Sequence, residues 1–161
     1  MIYRFQIDDI SAIQWPLLSN NTIIDSISQL NSILFSTTIT FLSGVGNELN
    51  SSYSLSFTRS PFLKRIEIGN ECFKNVRKFV ISGLPSLESV EIGKDCFRIS
   101  GKERDDGVCR IVNCPNLRHL EIDDYSFRDF KSFDISNLNS LQYIEFGDYC
   151  FYYADFSLKG E

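Results

Sequence analysis

The chain has 161 residues, 43% of them hydrophobic and 14 of them phenylalanine, which suits a single domain with a sizeable core. A net charge of −5 argues against nucleic acid or an anionic membrane surface as partner. No apolar run has the length of a membrane-spanning helix, and the N-terminal residues lack the basic start and apolar stretch of a secretory signal, which predicts a cytoplasmic location.

Residues 1–60 carry a blurred pattern. Ile2-Tyr3-Arg4-Phe5-Gln6-Ile7-Asp8-Asp9 matches Leu117-Arg118-His119-Leu120-Glu121-Ile122-Asp123-Asp124. Ile27-Ser28-Gln29-Leu30-Asn31-Ser32-Ile33 matches Ile135-Ser136-Asn137-Leu138-Asn139-Ser140-Leu141, and Val45-Gly46-Asn47-Glu48 echoes Ile68-Gly69-Asn70-Glu71. Two degenerate coils with insertions are expected here, with Leu55-Ser56-Phe57 as a strand. Trp15-Pro16-Leu17-Leu18 lies in the first insertion, placed to cap one end.

From residue 61 the repeat is clear. Pro61, Pro85, Pro115 and Asn139 open four units at intervals of 24, 30 and 24 residues. The longer interval holds the polar run Gly101 to Gly107, which reads as a loop inserted on the outside of a stack. In each unit apolar and polar residues alternate at Ile66-Glu67-Ile68, Val90-Glu91-Ile92, Leu120-Glu121-Ile122 and Ile144-Glu145-Phe146. That period of two predicts a half-buried strand. A second extended run follows at Phe79-Val80-Ile81, Cys109-Arg110-Ile111, Phe133-Asp134-Ile135 and Phe156-Ser157-Leu158. The link between the runs, Lys74 to Lys78 in the first unit, is too short for an ordinary helix. Each unit is therefore one coil with two short strands, and stacked coils share a core that no coil builds alone.

These residues resemble the leucine-rich repeat family, through Leu87, Val90, Ile92 and Phe97 in one unit and Leu117, Leu120, Ile122 and Phe127 in the next. The run Ile92-Gly93-Lys94-Asp95-Cys96-Phe97 is similar to that of the irregular BspA-like branch, with cysteine where that branch favours alanine. Glu71, Asp95, Tyr125 and Tyr149 replace the asparagine of ordinary leucine-rich repeats, and the helical convex segment is missing. The resemblance implies a mostly β leucine-rich-repeat solenoid of about 24-residue coils. Residues 61–161 form its four clear repeats and residues 1–60 its degenerate N-terminal coils. It also implies protein or adhesive contact as the function, with no enzymatic activity and no cofactor.

Five cysteines occupy inward positions of the pattern. Cys72, Cys96 and Cys150 share one column with Ser126, Cys109 replaces Phe79, and Cys114 replaces Leu84. An odd number without an export signal reads as buried, reduced thiols. No metal-ligand spacing appears, since His119 is the only histidine and Asp123-Asp124 matches no calcium loop.

The outward side of the first strands carries Glu67, Glu91, Glu121 and Glu145 in one column. Arg65, Ser89, His119 and Tyr143 form the adjoining column, and Gly69, Gly93, Asp123 and Gly147 the one beyond. Stacked in register the glutamates would stand about 4.8 Å apart. Like charges side by side are unfavourable, so the column points to a basic ligand on this face, a protein or a polyamine, with a protein expected. The alternative for the column is copying by duplication, with Lys64, Arg65 and Arg118 neutralising it in place. The alternative function is a structural segment of a longer adhesive or surface array, working and self-associating through its ends, since the final coil carries no polar cap after its second strand.

Overall fold

The computed structural model describes residues 21–99 and 106–159. Its strands are β1 Thr22–Ile24, β2 Thr38–Phe41, β3 Ser54–Phe57, β4 Arg65–Ile68, β5 Lys78–Ser82, β6 Ser89–Ile92, β7 Val108–Val112, β8 His119–Ile122, β9 Ser132–Ser136, β10 Tyr143–Phe146 and β11 Asp155–Lys159. Among the described residues, helical geometry is confined to one 3₁₀ segment, Ile27–Phe35. One sheet has the order β1-β2-β4-β6-β8-β10 and the other β3-β5-β7-β9-β11, and every pairing is parallel. Each of the four clear repeats therefore gives one strand to each sheet.

Register follows the side-chain alternation. Ile39, Ile66, Val90, Leu120 and Ile144 are neighbours along the first sheet, and Leu55, Phe79, Cys109, Phe133 and Phe156 along the second. A slip of one residue would turn every apolar side chain outward, so the alternation fixes the pairing. The insertion between β6 and β7 leaves this register intact. Between the sheets runs a phenylalanine ladder, Phe73, Phe97, Phe127 and Phe151, with ring centroids 5.3, 4.5 and 5.0 Å apart and the planes within 16° of parallel. Phe79 and Phe133 close on it from the second sheet.

The corner after each first-sheet strand turns on two left-handed residues. Glu71 and Phe73, Asp95 and Phe97, Tyr125 and Phe127, and Tyr149 and Phe151 have φ between 50° and 62°. Each such non-glycine residue costs about 1–2 kcal/mol. The geometry that requires it is visible in the amides. The Glu71 N–H donates forward to Lys94 O at 2.7 Å, and the Phe73 N–H donates back to Val45 O at 3.0 Å. Asp95 and Phe97 repeat this with Asp124 O and Cys72 O. Upstream, Gly44 and Gly46 hold the two positions at φ 83° and 80°. A Cβ on Gly46 would sit 2.2 Å from the Phe73 ring, so the ladder ends by laying its last ring over a glycine. Glu71→Gly relieves the corner and is expected to raise stability by up to about 1 kcal/mol, while the β-branched Glu71→Val lowers it. Urea midpoints of the three proteins check the order, and a valine variant above wild type contradicts it.

The cysteine column hydrogen-bonds as well as packs. Cys72 Sγ donates to Leu42 O at 3.2 Å, Cys96 Sγ to Gly69 O at 3.0 Å, Ser126 Oγ to Gly93 O at 2.7 Å and Cys150 Sγ to Asp123 O at 3.0 Å. Serine fits the third unit because it makes the same bond to the preceding repeat. All five thiols are free. Burial pushes those of Cys109 and Cys114 up, and that of Cys150 up to about 11.

The N-terminal part departs from expectation in two places. Phe41, not Val45, pairs with Ile68, and Val45 stands in the cysteine column, its carbonyl receiving the Phe73 amide as Cys72 O receives that of Phe97. Ile27 to Ile33, despite its match to the end of β9, lies in the 3₁₀ segment. The second sheet ends at β3 among the described residues. The expected strand at Leu55-Ser56-Phe57 is present within β3, in register with β5. The Ile2 match and Trp15 to Leu18 lie outside the described residues.

Candidate functional site

The glutamate column forms as the alternation requires. Thr40, Glu67, Glu91, Glu121 and Glu145 are successive Cα partners across β2, β4, β6, β8 and β10. Arg65, Ser89, His119 and Tyr143 are partners in the column beside it. Residues two apart share a strand face, and each member of the second column bonds the glutamate two positions on. Arg65 Nε donates to Glu67 Oε1 at 2.6 Å and Ser89 Oγ to Glu91 Oε1 at 3.3 Å. His119 Nε2 lies 3.2 Å from Glu121 Oε2, and the Tyr143 hydroxyl donates to Glu145.

Bonds across strands tie the columns further. Arg65 Nη2 reaches Glu91 Oε1 at 2.7 Å, bridging two glutamates, and Thr40 Oγ1 donates to Glu67 Oε2 at 2.8 Å. Burial opposes the charge on Arg65, but Glu67 and Glu91 outweigh it and hold the guanidinium above its ordinary value. His119 stacks on Tyr143 with centroids 4.6 Å apart and planes 2° from parallel. Of the three bases expected to neutralise the column, Arg65 does so, while Lys64 turns to Glu88 at 3.8 Å.

These bonds do not saturate the carboxylates. Glu67 uses both oxygens on Arg65 and Thr40. Among the described residues, Glu91 Oε2 and Glu121 Oε1 receive no protein donor. Both glutamates line an open groove of about 490 Å³, together with Glu67, Asp123, Gly69 and Gly93, with Thr40, Leu42 and Ser43 at its upstream end. Arg65, Ser89, His119 and Tyr143 stand beside the groove rather than in it, and Glu145 lies beyond its C-terminal end.

The glycines make the floor low because nothing else fits there. A Cβ on Gly69 would come 2.8 Å from both Phe41 O and Ser43 N, and one on Gly93 2.4 Å from Asn70 Oδ1. That Asn70 oxygen accepts the Lys94 amide, and Asp124 Oδ1 accepts the Asp148 amide in the same way. On the groove's flank Lys94 sits 3.1 Å from Asp124, which raises the lysine and lowers the carboxylate from their ordinary values.

Sequence reasoning missed Thr40, Leu42 and Ser43 because the Val45 echo drew the N-terminal unit out of register. The alternating Thr38-Ile39-Thr40-Phe41, all β-branched or aromatic, was the available signal. Among the described residues no group of three or more histidine, cysteine or carboxylate side chains could hold a metal ion. Nor is any described helix long and apolar enough to cross a membrane. No family model, curated protein or solved structure matches the chain.

Proposed function

We propose that this chain is a leucine-rich-repeat solenoid of the BspA-like kind, a non-enzymatic module that binds a basic segment of a partner protein in the glutamate-lined groove. Two parallel sheets that take one strand each from successive repeats support the solenoid reading. The observation that supports the binding reading is that Glu91 and Glu121 line the groove from adjacent strands, each part-exposed with one carboxylate oxygen that no described protein group bonds. Strand neighbours stand about 4.8 Å apart, a span that one guanidinium or two successive basic side chains can bridge. Arg65 already shows the mode, clamping Glu67 and Glu91 from within the chain. The groove is open along its length, which suits an extended peptide better than an enclosed small molecule.

The test is a titration of the double variant Glu91→Lys, Glu121→Lys with an arginine- and lysine-rich peptide. Both side chains are part-exposed and on the outer face, so the thermal midpoint should stay within a few degrees of wild type. Binding should fall at least tenfold, about 1.4 kcal/mol, and wild-type binding should weaken as salt rises. Equal affinity of wild type and variant refutes the groove as the site.

A further inference from the structure

Resting on the groove as the seat of a basic segment, we propose that it selects a two-part extended peptide, with an arginine or lysine on Glu91 and Glu121 and an apolar side chain four residues away on Leu42.

Both outward columns change character at the upstream end of the groove. The column of Glu145, Glu121, Glu91 and Glu67 continues through Thr40 to Ile23 on β1. The column of Gly147, Asp123, Gly93 and Gly69 has Leu42 at its head, since the preceding Phe41 pairs with Ile68. The four clear repeats give these outward positions to acidic residues or glycine. Here they hold leucine and isoleucine, 46% and 55% exposed. Leu42 lines the groove, and Ile23, diagonal to it on the same face, carries apolar surface past the groove's end. An apolar patch continuous with an open groove marks a contact surface in a way that single scattered hydrophobic residues do not. The Leu42 backbone is held on both sides, its amide donating to Ile24 O at 2.9 Å and its carbonyl accepting Cys72 Sγ at 3.2 Å.

Between the two ends lies a stretch that the chain neutralises itself. Glu67 uses both oxygens on Arg65 and Thr40, and Arg65 also takes Glu91 Oε1. Further along, Lys94 stands 3.9 Å from Asp123. The groove therefore offers charge downstream and apolar surface upstream. A segment that is basic along its whole length gains nothing on Leu42 and meets Arg65 as a like charge.

The strand geometry sets the spacing. Leu42 heads its column at β2, and the midpoint of Glu91 and Glu121 lies two and a half strand intervals away, about 12 Å, and about 7 Å along the strand direction. The direct span is about 14 Å. Four residues of extended chain cover that distance, and side chains four apart point to the same side. A residue three positions from the basic one points away from the floor.

Calorimetric titration of the full chain with capped peptides that carry an arginine pair reads the outcome. Each peptide has a leucine or a serine four positions from the nearer arginine, with this residue before the arginines in one pair of peptides and after them in the other. In one of the two directions the leucine peptide should bind about tenfold tighter than its serine counterpart. Moving the leucine to the third position should remove the gain. Leu42→Ser should bring the leucine peptide down to the level of the serine peptide. Should that variant lose its wild-type circular dichroism spectrum, the third-position peptide on the wild-type chain decides in its place. Peptides that all bind with equal affinity overturn the two-part selection and leave the basic site standing. Binding by none of them removes the basic site and the selection together. A leucine preference that survives in folded Leu42→Ser puts the apolar contact elsewhere and also overturns the proposal.

Discussion

Phe97→Ala is expected to lower stability by about 3–5 kcal/mol, the range for truncating a fully buried aromatic ring. Phe97 is wholly buried and contacts Phe73, Phe79, Phe127 and Phe130, with centroids 5.3, 4.8, 4.5 and 6.3 Å away. Removing it opens a cavity in the middle of the ladder, where neighbours on both sides are fixed by their own repeats. For a protein of ordinary stability, about 5–15 kcal/mol, this is a fifth of the total or more. The urea midpoint should drop with little change in slope. A companion variant separates packing from backbone strain. Phe97 has φ 53°, so Phe97→Gly loses the same ring but gains a permitted conformation. Glycine should therefore be no less stable than alanine at 97, the reverse of the usual order in a strand. Gly46, at the matching place upstream, shows the arrangement already in use.

Gly69→Ala is the second large effect, at about 1–3 kcal/mol by overpacking. The new methyl would meet backbone atoms of Phe41 and Ser43 at 2.8 Å, and the amide of Gly69 is itself bonded to Phe41 O at 2.8 Å. Relief requires β4 to move away from β2, which widens the groove floor and breaks a pairing. Gly44→Ala is the control, because nothing lies within 4 Å of its Cβ and only the left-handed φ of 83° opposes it. Thermal melts should place Gly69→Ala well below Gly44→Ala. The opposite order would mean that conformational cost, not close approach, governs these glycines.

Much of the fold was legible because one pattern recurs. Ile66-Glu67-Ile68 and its three copies announce strands, and the shared alternation puts them side by side in one register. Phe79, Cys109, Phe133 and Phe156 do the same for the second sheet. The corners were not legible. Glutamate and phenylalanine disfavour positive φ, and only the forward and backward amide bonds of Glu71 and Phe73 explain why both adopt it. The N-terminal register failed where a short Gly-Asn-Glu echo outweighed the inward column of Ile39 and Phe41. The strand pairing follows the column, since Phe41 and not Val45 is the partner of Ile68.

The glutamate column was readable for the same reason as the strands, since a period of two fixes which side chains point outward. Its internal bonding was not. Alternation places Arg65, Ser89, His119 and Tyr143 on the same face as their glutamates, but which oxygens they occupy depends on rotamers. That detail matters most for function, because it leaves Glu91 and Glu121, and not Glu67, with oxygens to offer.

Amide chemical shifts of the isotope-labelled chain during titration with an arginine- and lysine-rich peptide test the groove most directly. The expected result is saturable shifts concentrated at Glu67, Gly69, Glu91, Gly93, Glu121 and Asp123, abolished by high salt and absent with an acidic peptide of equal length. Shifts that instead spread over the second sheet, or none at all, would contradict binding in the glutamate-lined groove.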